Sequence, residues 1–151
     1  MNVLLFGATG MVGQGVLREC LHTADVARVR TVGRTPTGRS HLKLHERVHA
    51  DPFDYGPIES DLSGFDACFF CVGVSSAGKS EADYTRMTYD LTLAAAQVLA
   101  RLNPQMTFVY VSAAGADSTE QGRLMWARVR GRTEYALTAC PSRPSMCSGP
   151  A

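Results

Sequence analysis

The sequence has almost no net charge and no long apolar run. Its 15 lysines and arginines stand against 14 acidic residues, a formal net charge of +1, so no overall field attracts nucleic acid or an anionic membrane. No stretch approaches the roughly 20 apolar residues that cross a bilayer, and the N-terminus lacks the basic segment that precedes a secretory signal. We therefore expect a cytoplasmic protein that binds neither nucleic acid nor membrane. A protein partner stays open, and nothing indicates an oligomeric state.

Cysteine is sparse and supplies no disulfide framework. The five cysteines are an odd number scattered over 151 residues, which fits a protein kept reduced. Cys68 and Cys71 have the spacing of a redox or metal pair, but they lie in the apolar run ACFFCVG, where a strand points them to opposite faces. His41, His45 and His49 would share one face of a helix, yet their segment runs toward a strand. We predict a hydrated, partly extended connector there and no metal site.

Short apolar runs alternate with helical patterns along the chain. The runs of strand length are residues 3–6, 29–32, a weaker 48–50, 67–72 and 107–111, and the helical patterns cover 11–21, 80–102 and about 124–137. Continuous apolar strands alternating with helices are typical of a parallel sheet covered on both faces. We predict one α/β domain over residues 1–139, a doubly wound, mostly parallel sheet of about five strands, and an irregular tail at 140–151.

A glycine-rich turn, GATGMVG, joins the first strand to the first helix. Gly7 permits a tight turn, Gly10 lets phosphate approach the backbone, and Gly13 allows close helix–strand packing. The amides of the first helical turn and the helix dipole would bind a pyrophosphate. Because the turn follows a strand and opens a helix, it predicts a dinucleotide site, with a purely structural turn as the alternative. The predicted contacts are Gly7, Thr9, Gly10, Met11, Val12 and Gly13.

The end of the second strand indicates which dinucleotide is bound. An acid there would bind the ribose 2′-hydroxyl of NAD, whereas an arginine would accept the 2′-phosphate of NADP. The segment reads TVGRTPTGR and contains no carboxylate. Arg34 therefore favours NADP(H) over NAD(H), with Arg39 as a second clamp. The alternative is a solvated loop arginine.

Two later segments extend the predicted cofactor site. Asp51 closes the third strand and precedes Phe53, a pair suited to accept from the adenine amino group and to cover its ring; a surface Asp in a turn is the alternative. Cys71, Val72 and Gly73 end the fourth strand at the carboxyl edge, where ligands of doubly wound sheets bind. Their backbone is predicted to flank the nicotinamide ribose.

The blocks GATGMVG, VGR, CFFCVGVSSAG, VYVSAAGAD and WARVRGRTE, in this order, resemble atypical short-chain dehydrogenase/reductase proteins. They are most similar to bacterial NAD(P)-binding proteins related to the human Tat-interacting oxidoreductase. The resemblance covers residues 1–137. It implies a Rossmann domain, NADP(H) binding and reduction of a small carbonyl compound.

The family's catalytic signature is only partly present. Ser112 matches the serine after the fifth strand, but Trp126 and Arg130 stand at the Tyr and Lys of the Tyr-x-x-x-Lys motif. An indole N–H is no usable acid and a guanidinium does not deprotonate near neutrality, which leaves Arg130 to bind the nicotinamide ribose or a phosphate. We expect an NADP(H)-binding protein without conventional catalysis. The alternative is an NADP(H)-dependent oxidoreductase, or an epimerase/dehydratase-like enzyme, acting on a small carbonyl substrate.

The resemblance also predicts a C-terminal part that this sequence does not show. The family continues into a Leu-Pro-Phe strand and an Arg-Pro-Gly turn, whereas this chain ends in CPSRPSMCSGPA. A shifted reading frame with plausible codons restores both features. We hypothesise that a frameshift after about Ala139 replaced the family's C-terminal part, and the coding DNA tests this directly.

Overall fold

A computed structural model describes residues 1–140 and 143–149 of the chain. Its strands are β1 (Asn2–Phe6), β2 (Arg28–Gly33), β3 (Leu44–Val48), β4 (Ala67–Phe70), β5 (Thr107–Ala113) and β6 (Arg143–Gly149). They form one sheet in the order β3-β2-β1-β4-β5-β6, and every neighbouring pair is parallel. The reversal of strand order between β1 and β4 is that of a doubly wound sheet, which confirms the predicted fold class.

The helices lie between the strands. They are α1 (Met11–His22), a 3-10 helix (Gly56–Asp61), α2 (Glu81–Thr85), a π-helical turn (Arg86–Asp90), α3 (Leu91–Leu102) and α4 (Met125–Thr138). Ser80 caps α2, since the Asp83 N–H donates to its hydroxyl at 3.1 Å. Among the described residues, no helix is both long and apolar enough to span a bilayer.

Alternating side chains of the sheet build a separate core on each face. Leu4 and Phe6 of β1 pack with α3 and the end of α4, whereas Val3 and Leu5 pack under α1. This is the alternation expected of strands buried on both sides. The two cysteines of the CxxC spacing follow the same alternation, because Cys68 belongs to the first core and Cys71 packs against the second.

The edge strand β3 begins four residues earlier than the apolar run predicts. Its sequence, LHERV, is largely exposed and carries no apolar alternation. Backbone pairing with β2, from Val29 beside Leu44 to Gly33 beside Val48, forms the strand instead. His45 therefore lies in a strand and shares no helical face with His41 or His49. The described part of the chain contains no cluster of metal-ligating side chains.

The C-terminal segment differs from the irregular tail that the sequence predicts. Residues 143–149 form β6, which pairs with β5 from Thr107 beside Arg143 to Ala113 beside Gly149. The strand pairs with the backbone groups at the edge of β5, and this pairing needs no periodic pattern of side chains. A proline such as Pro144 is tolerated in an edge strand. With β6, the described residues form a six-stranded sheet. Residues 141–142 and 150–151 of the expected tail lie outside the described residues.

Candidate functional site

Two glycines of the turn after β1 are required by close backbone packing. Gly7 has a φ of 77°, and a Cβ on it would lie 2.7 Å from the carbonyl carbon and oxygen of Cys71. A Cβ on Gly13 would lie only 2.0 Å from the carbonyl oxygen of Gly7. Gly7 therefore lets β1 pass the end of β4, and Gly13 brings α1 against the turn.

Gly10 has a different environment from its two neighbours in the motif. A Cβ on Gly10 would meet only the Gly7 carbonyl oxygen, at 3.4 Å, and its φ of −78° suits any residue. Gly10 is also the N-cap of α1 and brings no side-chain hydrogen bond to the helix. The first amides of a helix have no intrahelical acceptor. The amides of Met11, Val12 and Gly13 are thus available to donate hydrogen bonds to a ligand, since no atom of residues 1–140 fills the space beside Gly10.

A cleft of about 230 Å³ lies at the carboxyl ends of β1, β2 and β4. Seven of the predicted cofactor residues line it: Gly7, Thr9, Gly10, Arg34, Cys71, Val72 and Gly73. Sequence reasoning missed the remaining lining residues, which are Phe6, Val32, Gly33, His49, Pro52, Tyr55, Val74, Met87 and Leu91. The ends of three parallel strands therefore bring most of the predicted contacts to one site, together with an apolar lining.

Tyr55 and His49 form the wall of the cleft beyond β3. Tyr55 is buried, and burial raises the pKa of its hydroxyl well above the ordinary range. The His49 ring centroid lies 5.7 Å from that of Tyr55, and His49 Nε2 lies 2.6 Å from the Asp54 carbonyl oxygen. The only sequence signal for this wall was an aromatic residue shortly after the third strand, which does not by itself predict a position in a cleft.

Arg34 follows β2 directly, lines the cleft and is exposed. It forms no ion pair with a carboxylate in residues 1–140. The loop that carries Arg34 is anchored by Glu46 of β3, because the Thr37 N–H donates to Glu46 Oε1 at 2.7 Å. The negative charge of Glu46 repels an anion at this loop, whereas the positive charge of Arg34 attracts one. Arg39 is exposed and lies outside the cleft lining.

The predicted adenine residues Asp51 and Phe53 lie outside the lining of the cleft. Asp51 comes three residues after the end of β3, and its Oδ1 accepts the Phe53 N–H at 2.9 Å, as in a tight turn. The guanidinium of Arg86 covers the Phe53 ring, 4.4 Å from the centroid. This geometry matches the alternative of a surface aspartate in a turn.

The three positions of the catalytic signature lie near the end of β5. Ser112 is buried on β5, and its Oγ has no hydrogen-bond partner in residues 1–140. Trp126 and Arg130 lie on α4, one turn apart. The Trp126 ring packs over Gly115, its Cη2 atom 3.6 Å from the Cβ position of that glycine. Arg130 Nε donates to the Tyr84 hydroxyl at 3.1 Å, a contact between distant segments that the sequence did not predict.

A parallel, doubly wound sheet with a glycine turn at its first strand and a cleft at its carboxyl edge defines a Rossmann-type dinucleotide-binding protein. The family model described as the NAD dependent epimerase/dehydratase family matches residues 3–139. The chain belongs to this family of NAD(P)-binding proteins, which confirms the resemblance to atypical short-chain dehydrogenases/reductases.

Fungal proteins are among its relatives. Protein fmp52-1, mitochondrial, from Aspergillus terreus is 31% identical over 98% of this chain and 67% of its own length. Protein FMP52-2, mitochondrial, from Scheffersomyces stipitis is 29% identical over 91% of this chain and 60% of its own length. The chain therefore spans about 60% of the length of the first relatives that it matches.

Solved structures share the fold at low sequence identity. UDP-glucose 4-epimerase from Thermotoga maritima has a TM-score of 0.75 and 14% identity, covering 97% of this chain and 54% of its own. The dTDP-glucose 4,6-dehydratase DesIV from Streptomyces venezuelae, with NAD bound, has a TM-score of 0.74 and 19% identity, covering 97% of this chain and 55% of its own.

These relatives correct the expected location. The expectation of a cytoplasmic protein is wrong, because the fungal relatives from several species are named as mitochondrial proteins. The expectation rested on free cysteines and on the lack of a secretory signal. Neither observation distinguishes one reducing compartment from another.

Proposed function

We propose that this chain binds NADP(H) in the cleft at the carboxyl ends of β1, β2 and β4. The observation that carries the proposal is the open space at Gly10, where a Cβ would approach only the Gly7 carbonyl oxygen, at 3.4 Å. The uncapped first turn of α1 offers amides and the positive end of its dipole to a pyrophosphate in that space. Apolar lining residues such as Val32, Met87 and Leu91 suit the rings of a dinucleotide.

We further infer a preference for NADPH over NADH. Arg34 is positioned at the end of β2 and is paired with no carboxylate of residues 1–140, so its guanidinium is available to a 2′-phosphate. The β2 strand and the loop after it contain no acid that would bind a free 2′-hydroxyl. Glu46 weakens the preference, because its carboxylate accepts the Thr37 N–H and so places a negative charge at the loop that carries Arg34.

In this proposal the chain binds the cofactor without conventional hydride-transfer chemistry. The nicotinamide of a bound cofactor supplies hydride chemistry, but a carbonyl substrate also needs a proton donor. Trp126 stands where the family carries its tyrosine, and its ring lies over Gly115. The Arg130 guanidinium is held by Tyr84 and donates only. Neither side chain can exchange a proton with a substrate near neutral pH.

A second candidate is an NADP(H)-dependent oxidoreductase or epimerase/dehydratase-like enzyme for a small carbonyl compound. The observation that favours it is the Ser112 hydroxyl, buried and without a partner in residues 1–140. A buried hydroxyl without a hydrogen bond is costly, and a substrate carbonyl would satisfy it. The matched relatives are longer than this chain, so the activity of a whole protein of this family is a proposal here.

Cofactor titration and turnover separate the two candidates. We expect calorimetry to give saturable binding of NADPH and weaker binding of NADH. In stopped-flow assays over a panel of aldehydes and ketones, we expect negligible NADPH oxidation, since loss of a general acid typically removes about 10² to 10⁴ in rate. Robust turnover that Ser112→Ala abolishes would refute the binding-only proposal and favour the enzyme. Failure to bind either dinucleotide would refute both.

A further inference from the structure

A polar cluster lies beside the cleft, under α4. Arg130 is at its centre: Nε donates to the Tyr84 hydroxyl at 3.1 Å, and Nη1 donates to the Val111 carbonyl oxygen at 3.5 Å. Both acceptors are neutral. The remaining nitrogen, Nη2, lies 3.5 Å from the Cβ position of Gly73, a residue that lines the cleft. Arg130 is therefore a half-buried cation held against the end of the cleft.

Arg130 lacks the ion pair that its neighbours on α4 form within residues 1–140. Arg128 Nη2 lies 2.9 Å from Glu81 Oε2, and Arg132 Nε lies 3.1 Å from Glu120 Oε1. Arg130 forms no such pair in this part of the chain. Removing a charge from water without a counter-ion is unfavourable. The position therefore favours an anion supplied from outside the chain.

Ser112 adds a hydrogen-bonding group on the same face of the sheet. Tyr110 and Ser112 are two residues apart on β5, so both side chains point to the face that α4 covers. Burial raises the pKa of Tyr110 to about 12, and the positive charge of the nearby Arg130 guanidinium opposes this shift. Tyr110 thus lies near Arg130. Ser112 is only 6% exposed, and its Oγ has no partner in residues 1–140.

We propose that Arg130 and Ser112 form a subsite for a small oxyanion, the carboxylate or phosphate group of a small molecule bound beside the cofactor. The guanidinium supplies the charge and Nη2 as a donor, and the Ser112 hydroxyl supplies a second hydrogen bond. Tyr84 is a positioning residue, which holds the guanidinium in place together with the Val111 carbonyl group. The inference rests on the proposed function only for the presence of the cofactor beside Gly73.

Oxalate and inorganic phosphate are the probes, each titrated by calorimetry into the unmodified chain with and without saturating NADPH. The variants are Arg130→Met, Arg130→Lys and Ser112→Ala. The matched control is Arg132→Met, which removes the same charge from the same helix. We expect the better-bound probe to lose about 10- to 150-fold in affinity in Arg130→Met, less in Ser112→Ala, and nothing in Arg132→Met. Arg130→Lys keeps the charge without the planar fork and should be intermediate; it carries the test if the Met variant does not fold.

Titration with and without NADPH distinguishes a site for a separate small anion from a site for a phosphate of the dinucleotide. Simultaneous binding of oxalate and NADPH supports the subsite, whereas displacement of oxalate by NADPH overturns it. Equal losses in Arg130→Met and Arg132→Met, or no saturable binding of either probe, also overturn it. NADPH affinity is measured in the same titrations, so a failure of the cofactor site is distinguishable from a failure of the anion subsite.

Discussion

Adding one methyl group to each of three glycines of α1 and its N-cap separates what the fold requires from what a ligand requires. Gly13→Ala places a Cβ 2.0 Å from the Gly7 carbonyl oxygen, so α1 must move away from β1. Overpacking of this kind costs about 1 to 3 kcal/mol or more. Gly15→Ala meets no atom within 4 Å and should gain about 0.5 to 1 kcal/mol from helix propensity. Gly10→Ala loses at most about 1 kcal/mol as a poorer N-cap.

Cofactor affinity should follow a different order from stability. Gly10→Ala fills the space in which a phosphate would approach the first-turn amides of α1. Loss of such charge-assisted hydrogen bonds corresponds to about 1.5 to 3 kcal/mol, or roughly 10- to 150-fold in NADPH affinity. Gly15→Ala should bind NADPH as the unmodified chain does. Gly10→Ser is a sharper variant, because its hydroxyl would cap α1 and compete directly with the phosphate.

Thermal melts by circular dichroism measure the stability of the three variants, and calorimetric titration measures their NADPH affinity. For a chain of this size, each kcal/mol shifts Tm by about 2 to 4 °C. We expect a stable Gly10→Ala with weakened NADPH binding, a destabilised Gly13→Ala, and a Gly15→Ala that melts higher and binds NADPH normally. An unchanged NADPH affinity in Gly10→Ala would exclude the phosphate site. An unchanged Tm in Gly13→Ala would contradict the packing of α1 against the turn.

Three further perturbations test other parts of the molecule. Arg34→Ala should weaken NADPH binding about 10- to 150-fold and leave NADH binding unchanged. Glu46→Gln should strengthen NADPH binding up to about fivefold. Equal NADPH and NADH affinities in the unmodified chain would contradict the proposed role of Arg34. Gly131→Ala should lower Tm strongly, since its Cβ would lie 1.9 Å from the Asp117 carbonyl oxygen; an unchanged melt refutes that packing. Hydrogen bonds from Thr119 and Gly122 lower the pKa of the Asp117 carboxyl, so its contribution to stability is present above the unfolded-state pKa and lost as pH falls through the folded one. Stability–pH curves of Asp117→Asn and the unmodified chain should converge in acid, and parallel curves would exclude this role.

Local patterns predicted those parts of the molecule in which one segment carries its own signal. The buried strands β1, β2, β4 and β5 are apolar on both faces, so their runs were visible without the sheet. The turn from Gly7 to Gly13 was legible because its spacing reflects contacts within a few residues. Arg34 was legible because it directly follows an apolar strand.

The edge strands could not be predicted in the same way. β3 and β6 pair through backbone groups that every residue carries, so composition did not distinguish them from connectors or tails. The bounds predicted for the third strand consequently put Asp51 at its end, whereas the structure places that carboxylate in a turn. The frameshift proposed after Ala139 concerns the coding DNA and stays a prediction.

The sequence by itself determined the fold class, the glycine turn and the absence of the family's Tyr-x-x-x-Lys pair, because each depends on residue types at short, fixed spacings. The tertiary structure alone decided that Tyr55 and His49 line the cleft, and that Tyr84 and Arg130 meet beside it. Tyr84 and Arg130 are 46 residues apart in the chain. Their contact depends on how two helices pack on one face of the sheet, and long-range packing of this kind leaves no periodic signal in the segments that it joins.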